Sequence, residues 1–166
     1  MQADLNAKGI ALANSQFWEQ MLAMNLEAAA SSEGFCMSAG HVQGTIRLSG
    51  AWSGLVEVRL SAGLAYEATA KMLMLPAKSV TEADILDAAK EIANIIAGVI
   101  KPSLARPCSM AVPESAMVRE RFCCPSETAD TLTVAFDHAV GSLMVRVWER
   151  ECVRSSASAQ PQLESA

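Results

Sequence analysis

One run of the chain, Thr81 to Lys101, carries polar side chains at regular intervals. Asp84, Asp87, Glu91, Asn94 and Lys101 follow one another at spacings of three, four, three and seven residues. Residues so spaced stack on one face of an α-helix. Gly98 joins the row four residues after Asn94. A ridge of this kind offers carboxylates for pairing with a cation on a partner, and a carboxamide that both donates and accepts hydrogen bonds. The bland alternative is a solvated face, because every amphipathic surface helix has one and acids near its N-terminus suit the helix dipole. Two choices argue against it. Asn is a mediocre helix former in mid-helix, and Gly costs about 1 kcal/mol relative to Ala there. Local choices that oppose the stability of their own element often mark a site.

The helix that must carry this ridge is the best signalled element of the chain. Thr81-Glu82-Ala83-Asp84 fits a capping box, in which the Thr81 hydroxyl covers a free backbone N–H. The helix is predicted over about 82–101, where Pro102 stops it. Ile85, Ala88, Ala89, Ile92, Ile96 and Val99 give it a wide apolar face opposite the polar one. Before it, Val42, Ile46 and Leu48, the turn Ser49-Gly50-Ala51-Trp52-Ser53-Gly54, and Val56, Val58 and Leu60 alternating with Glu57 and Arg59 predict a β-hairpin with one face buried. Ser61 is placed to cap a helix from about 63 to 75, apolar at Ala65, Ala68, Met72 and Leu75 and ended by Pro76. A helix over about 15–30, with Phe17, Met21, Met24 and Leu26 near helical spacing, and a loop over 30–40 complete the first half. After the polar helix, Val118 to Cys124 reads as a weak strand. Leu132, Val134 and Phe136, a turn over Asp137–Ser142, and Leu143, Val145 and Val147 read as a second hairpin. Helices and hairpins segregated in this way imply an α+β domain with helices on one face of an antiparallel sheet. One domain is expected over residues 1–153, followed by a Ser- and Ala-rich tail, 154–166, expected to be a flexible terminus.

The bulk numbers fit that picture. With 166 residues, 51% hydrophobic and 19% charged, the chain can bury a proper core. A formal net charge of −5 argues against a nucleic-acid partner, which needs a basic patch. No apolar stretch reaches the length of a membrane span, and the N-terminal segment lacks the pattern of a secretory signal. Five cysteines at irregular spacing, Cys36, Cys108, Cys123, Cys124 and Cys152, do not suggest a disulfide framework. The expectation is a reduced, soluble, cytoplasmic protein.

Asp87-Ala88-Ala89-Lys90-Glu91-Ile92-Ala93-Asn94, followed by Ile95-Ile96-Ala97-Gly98, resembles the signature helix of the CheC/CheX/FliY chemotaxis phosphatases. That signature has an Asp or Ser, a Glu four positions later, an Asn three beyond it, and a downstream Pro. Pro113 is the candidate for the last position, at a shorter interval than is usual in the family. The preceding helix and the Gly50–Gly54 hairpin look like the same family, so the resemblance covers about Val42 to Val147. A single copy of the signature points to the CheX-like branch, and the branch implies a homodimer. The resemblance implies a CheC/CheX-like two-layer fold and a phosphatase acting on the aspartyl phosphate of a CheY-like response regulator. In that role Asn94 would orient the attacking water, and Glu91 would dock to the regulator's active-site Lys. Asp87, Gly98 and Lys101 would be partner contacts. The cation would be Mg²⁺ on the regulator, with no metal or other cofactor bound by this chain.

Two other readings compete. A catalytically inactive CheX-like binding or scaffold domain could dock a response regulator through the same ridge. Cysteine or metal chemistry would draw on Cys108, Cys123, Cys124, His41 and His138, but adjacent cysteines lack ligand spacing and no second pair completes a tetrahedral set. Structural cysteines are the better reading, with His138 a turn residue. Trp52 and Trp148 are better read as packing or hairpin support than as ligand platforms.

Overall fold

The structure is a computed structural model that describes residues 5–125, 128 and 130–150. The tail over 154–166 and Cys152 lie outside the described residues. Helix α1 spans Ala7–Leu22. The Asn6 side chain caps it by accepting a 2.9 Å hydrogen bond from the Gly9 amide, and Ala23 ends it in a left-handed conformation (φ 49°). This corrects the helix expected over about 15–30. Ile10, Asn14, Phe17, Trp18 and Leu22 form its buried face. Met24 and Leu26 are buried too, but they alternate with exposed Ala23 and Asn25 on extended chain leading into β1, Glu27–Ala28. An apolar pair two residues apart satisfies strand periodicity as well as a loose helical one.

The segment expected to be loop holds a short strand, β2, Cys36–Met37. The first hairpin is β3, His41–Gly50, and β4, Gly54–Leu60, paired from Val42↔Leu60 to Leu48↔Gly54. Trp52 turns inward at the hairpin end and packs against Gly54, where no Cβ would fit beside its ring. Helix α2, Ala62–Leu73, follows. Ser61 does not cap it; its hydroxyl instead accepts a 2.9 Å hydrogen bond from the Ser142 amide, tying the start of α2 to the second hairpin. The helix stops two residues short of Leu75 because Met74 goes left-handed (φ 53°). Helix α3 spans Glu82–Ile100, and Lys101–Ser103 form a single 3₁₀ turn around Pro102.

The last third is all strand: β5, Cys108–Met110; β6, Glu114–Val118; β7, Phe122–Cys123; β8, Thr131–His138; and β9, Gly141–Glu149. The strand expected over Val118–Cys124 is thus two, β6 ending where it was expected to begin. Its alternation is weak because β6 borders the sheet and β7 belongs to another one. The main sheet is antiparallel throughout, in the order β1-β8-β9-β4-β3-β5, with β6 paired to the first half of β3 and β5 to its end. The second sheet is the two-stranded pair β2–β7.

All three helices pack on one face of the main sheet, over Val42, Ile46, Leu48, Val56, Val58, Leu60, Val134, Phe136, Leu143, Val145 and Val147. The small sheet lies on the other face. There the alternation of β3 and β4 places His41, Glu57 and Arg59, and all three are covered: His41 is 1% and Glu57 4% exposed. The Phe122 ring of β7 stacks on the Arg59 guanidinium at 3.9 Å. Arg59 pairs with Glu57 and its Nη1 lies 2.8 Å from His41 Nε2, while His41 Nδ1 lies 2.9 Å from the Ser38 carbonyl. The bridge that fixes this ribbon is a disulfide between Cys36 and Cys123, 87 residues apart in sequence. It overturns the expectation of reduced cysteines without a disulfide; the partners meet only through tertiary register, which spacing does not carry.

Candidate functional site

The ridge stands on α3, the most firmly positioned helix. At its start the Thr81 hydroxyl accepts from the Asp84 amide at 3.3 Å, and Asp84 Oδ2 accepts from the Thr81 amide at 2.8 Å, completing the expected capping box. Hydrogen bonds from the Thr81 side chain, and then from its backbone, hold the Asp84 carboxyl below its ordinary value. The apolar face, Ala88, Ala89, Ile92, Ala93, Ile96 and Ala97, is buried against β3, β4 and β6. Gly44 lets this happen. A Cβ there would collide with the Ala89 carbonyl oxygen and stand 3.1 Å from the Ala93 Cβ, so the helix backbone rests directly on the strand.

With that face buried, the ridge is left facing out. Asp87, Glu91, Gly98 and Lys101 are exposed and Asn94 is half-buried. At 1.5 Å per residue, Glu91 and Asn94 are about 4.5 Å apart along the axis, and Asp87 to Lys101 spans about 21 Å. Asp87 is held by Lys90, Oδ1 to Nζ at 2.9 Å, in an exposed i,i+3 pair. Such a pair contributes about 0–1 kcal/mol and is easily exchanged for another cation. The side chains of Glu91 and Asn94 make no hydrogen bond or ion pair among the described residues. The carboxylate and the carboxamide one turn beyond it therefore keep their full capacity for a partner. Gly98 opens onto free space, since a Cβ there would meet nothing within 4 Å. Lys101 ends the row at the C-cap, its backbone amide still bonded to the Ala97 carbonyl. Pro113 is half-buried in the bend between β5 and β6, and β6 packs beside α3.

The profile of the family described as chemotaxis phosphatase CheX matches residues 42–136, more than half of the chain. The chain belongs to the CheX family. Its fold is also that of solved family structures. The CheX protein of Vibrio vulnificus superposes with a TM-score of 0.71 at 19% identity, over 90% of this chain and 100% of that one. A CheC-like superfamily protein from Shewanella sp. PV-4 gives 0.70 at 18% identity, covering 90% and 99%. The CheX–CheY–BeF₃–Mg²⁺ complex from Borrelia burgdorferi gives 0.67 at 18%, covering 90% and 100%. At these identities the likeness is one of fold. No curated protein matches the chain.

Membership in a family of chemotaxis phosphatases fits a site that presents polar groups outward to a partner, in place of a cleft for a small substrate. The rival chemistries find no such arrangement. Among the described residues no three His, Cys, Asp or Glu side chains gather as a metal site. His41 is taken up by Ser38 and Arg59, and His138 Nδ1 accepts from the Val140 amide within the β8–β9 turn. Among the described residues no helix is long and apolar enough to cross a membrane. Trp52 is buried, and half-buried Trp148 carries the Arg146 guanidinium 4.9 Å over its ring. The polar cluster on the back face, buried His41 and Glu57 with half-buried Arg59, was not legible in the sequence, where Glu57 and Arg59 alternate like solvent-facing residues.

Proposed function

We propose that this CheX-family chain accelerates hydrolysis of the aspartyl phosphate of a CheY-like response regulator, with the α3 ridge inserted against the regulator's phosphorylation site. The observation that supports this most is the pair Glu91 and Asn94. They stand side by side on a rigid, capped helix, their side chains unpartnered among the described residues, in the spacing of the family's signature.

An aspartyl phosphate already hydrolyses unaided, so a catalyst has chiefly to hold a water in line with the phosphorus. The Asn94 side-chain oxygen accepts a hydrogen bond from that water and fixes its approach; the P–O bond to the regulator's Asp breaks as the new one forms. Glu91 pairs with the regulator's active-site Lys and sets the register of Asn94, a charge-assisted contact that strengthens as docking excludes water. Asp87 and Lys101 contribute contacts at the two ends of the ridge, and Gly98 allows close approach. Mg²⁺, held by the regulator, neutralises charge on the phosphoryl group. The solved Borrelia complex of CheX with CheY, BeF₃ and Mg²⁺ supports the partner and the involvement of Mg²⁺. Residues 1–153 act as one cytoplasmic domain, and two copies pair through exposed sheet edges such as β6.

The test is loss of labelled phosphate from a CheY-type regulator with and without the protein, run beside Asn94→Ala. Wild type speeds the loss and the variant does not, while the variant's circular dichroism and melting stay those of wild type. No acceleration by wild type on regulators that do take up phosphate, together with stable complex formation, would replace the phosphatase with a binding or scaffold domain.

A further inference from the structure

We propose that Cys36 and Cys123 form a reversible redox latch, opened by a dithiol reductant, that holds the β2–β7 ribbon over the back of the main sheet. The two residues are register partners in that ribbon, with Cα atoms 4.1 Å apart. Each strand of the ribbon is only two residues long. A two-stranded ribbon of that length has no stability of its own. Besides the bridge, what ties it down among the described residues is little: the Cys124 amide to the Phe35 carbonyl at 2.8 Å, the Gly40 amide to the Val118 carbonyl at 2.9 Å, buried Met37, and the Phe122 ring on Arg59 and tilted against His41. Beneath it lies the least self-sufficient part of the interior, the pair of buried Glu57 and half-buried Arg59, with buried His41 beside it. Charged groups of this kind gain much from water, so an uncovered form of the back face is accessible once the ribbon is loose.

The bridge is also placed to be reached. Cys123 is exposed and Cys36 half-buried. A thiolate of the dithiol attacks the Cys123 sulfur, the S–S bond breaks, and Cys36 leaves as a thiolate that takes up a proton. The reductant's second thiol then displaces Cys123 from the mixed disulfide. Two electrons pass from the dithiol, which ends as a disulfide, and Cys36 and Cys123 end as thiols. In a reducing compartment such bridges are transient and redox-sensing, which is the behaviour this geometry permits. The helices lie on the opposite face of the sheet, so the opening is confined to the back.

Two measurements on the full chain test this. The protein is equilibrated with reduced and oxidised dithiothreitol in varying ratio, quenched with an alkylating agent in denaturant, and weighed. The two cysteines of the bridge are protected when it is closed, so reduction adds two labels, up to five in all, with a Cys36–Cys123 peptide recovered from the closed form. Hydrogen exchange then compares both forms, with Cys36→Ser as a second open form. Amides over 36–41 and 118–123 gain at least about tenfold more in exchange rate on opening than those of α3, which follow only the fall in global stability. Five labels under every oxidising ratio, or pairing of Cys36 with Cys124, would overturn the proposal. So would equal exchange in both forms, or a gain in α3 as large as that in the ribbon. Should Cys36→Ser not fold, reduced wild type gives the same comparison.

Discussion

Gly44→Ala tests whether the site depends on how closely α3 rests on the sheet. The added methyl stands 3.1 Å from both the Ala89 carbonyl carbon and the Ala93 Cβ, and closer still to the Ala89 carbonyl oxygen. Carbon atoms at optimal separation are about 3.5–4.0 Å apart, so α3 must lift by roughly 0.5–1 Å. Helix backbone cannot rotate away as a side chain would, and overpacking of a close-packed interior costs about 1–3 kcal/mol. Asn94 lies one residue beyond Ala93 on the same helix, and a misplacement of about 1 Å can cost roughly a hundredfold in rate. The expected variant is folded, is less stable in urea unfolding by about 1–3 kcal/mol, and dephosphorylates a CheY-type regulator far more slowly than that stability loss explains. Dephosphorylation is read at a temperature where the variant is fully native. A variant with wild-type stability and wild-type activity would refute the idea that this contact sets the position of Asn94.

Other perturbations separate fold from site. Gly98→Ala is expected to stabilise the protein by about 0.5–1 kcal/mol, because its Cβ meets nothing in this chain; Gly98→Trp keeps the fold but weakens binding to a phosphorylated regulator in a pull-down or titration. Reduction of Cys36–Cys123 lowers stability by about 2–4 kcal/mol in denaturant, since the bridge closes a long loop. The Asp84 carboxyl is lowered in the folded protein, so its stabilising effect is complete above the unfolded carboxyl value of about 3.9 and is lost as pH falls through the lower folded value. Acid titration of stability in wild type and Asp84→Asn checks this; the two curves converge at the acid end.

Sequence made the site's helix legible because its signals are local. The Thr81–Asp84 capping box, the apolar period and Pro102 act within a few residues, and α3 begins and ends within one residue of expectation. Period-two alternation likewise revealed β3–β4 and β8–β9, whose partners are joined by short turns. What stayed hidden is what depends on distant chain. Glu57 and Arg59 look solvated until a ribbon from 36–37 and 122–123 is laid over them. The disulfide needs that same ribbon. Ser61 has the chemistry of a cap, but the amide it serves belongs to Ser142, 81 residues away. The bounds of α1 differ from expectation for another reason: Met24 and Leu26 mimic helical spacing on extended chain and draw the expected helix past Leu22, while the true start is set by the Asn6 cap, which the apolar spacing does not reveal. The ridge could be drawn from spacing alone, yet that the Glu91 and Asn94 side chains stand without partners among the described residues needed the structure.

The central claim is that Asn94 acts on the water while Glu91 acts on docking. The direct measurement is the rate of dephosphorylation at saturating regulator for Asn94→Ala and Glu91→Gln, with binding of each to the beryllofluoride-activated regulator measured in parallel. Asn94→Ala is expected to lower the saturating rate by about a hundredfold with binding little changed, and Glu91→Gln to weaken binding severalfold or more. A wild-type saturating rate in Asn94→Ala, or a loss of activity there that weakened binding explains in full, would contradict the account.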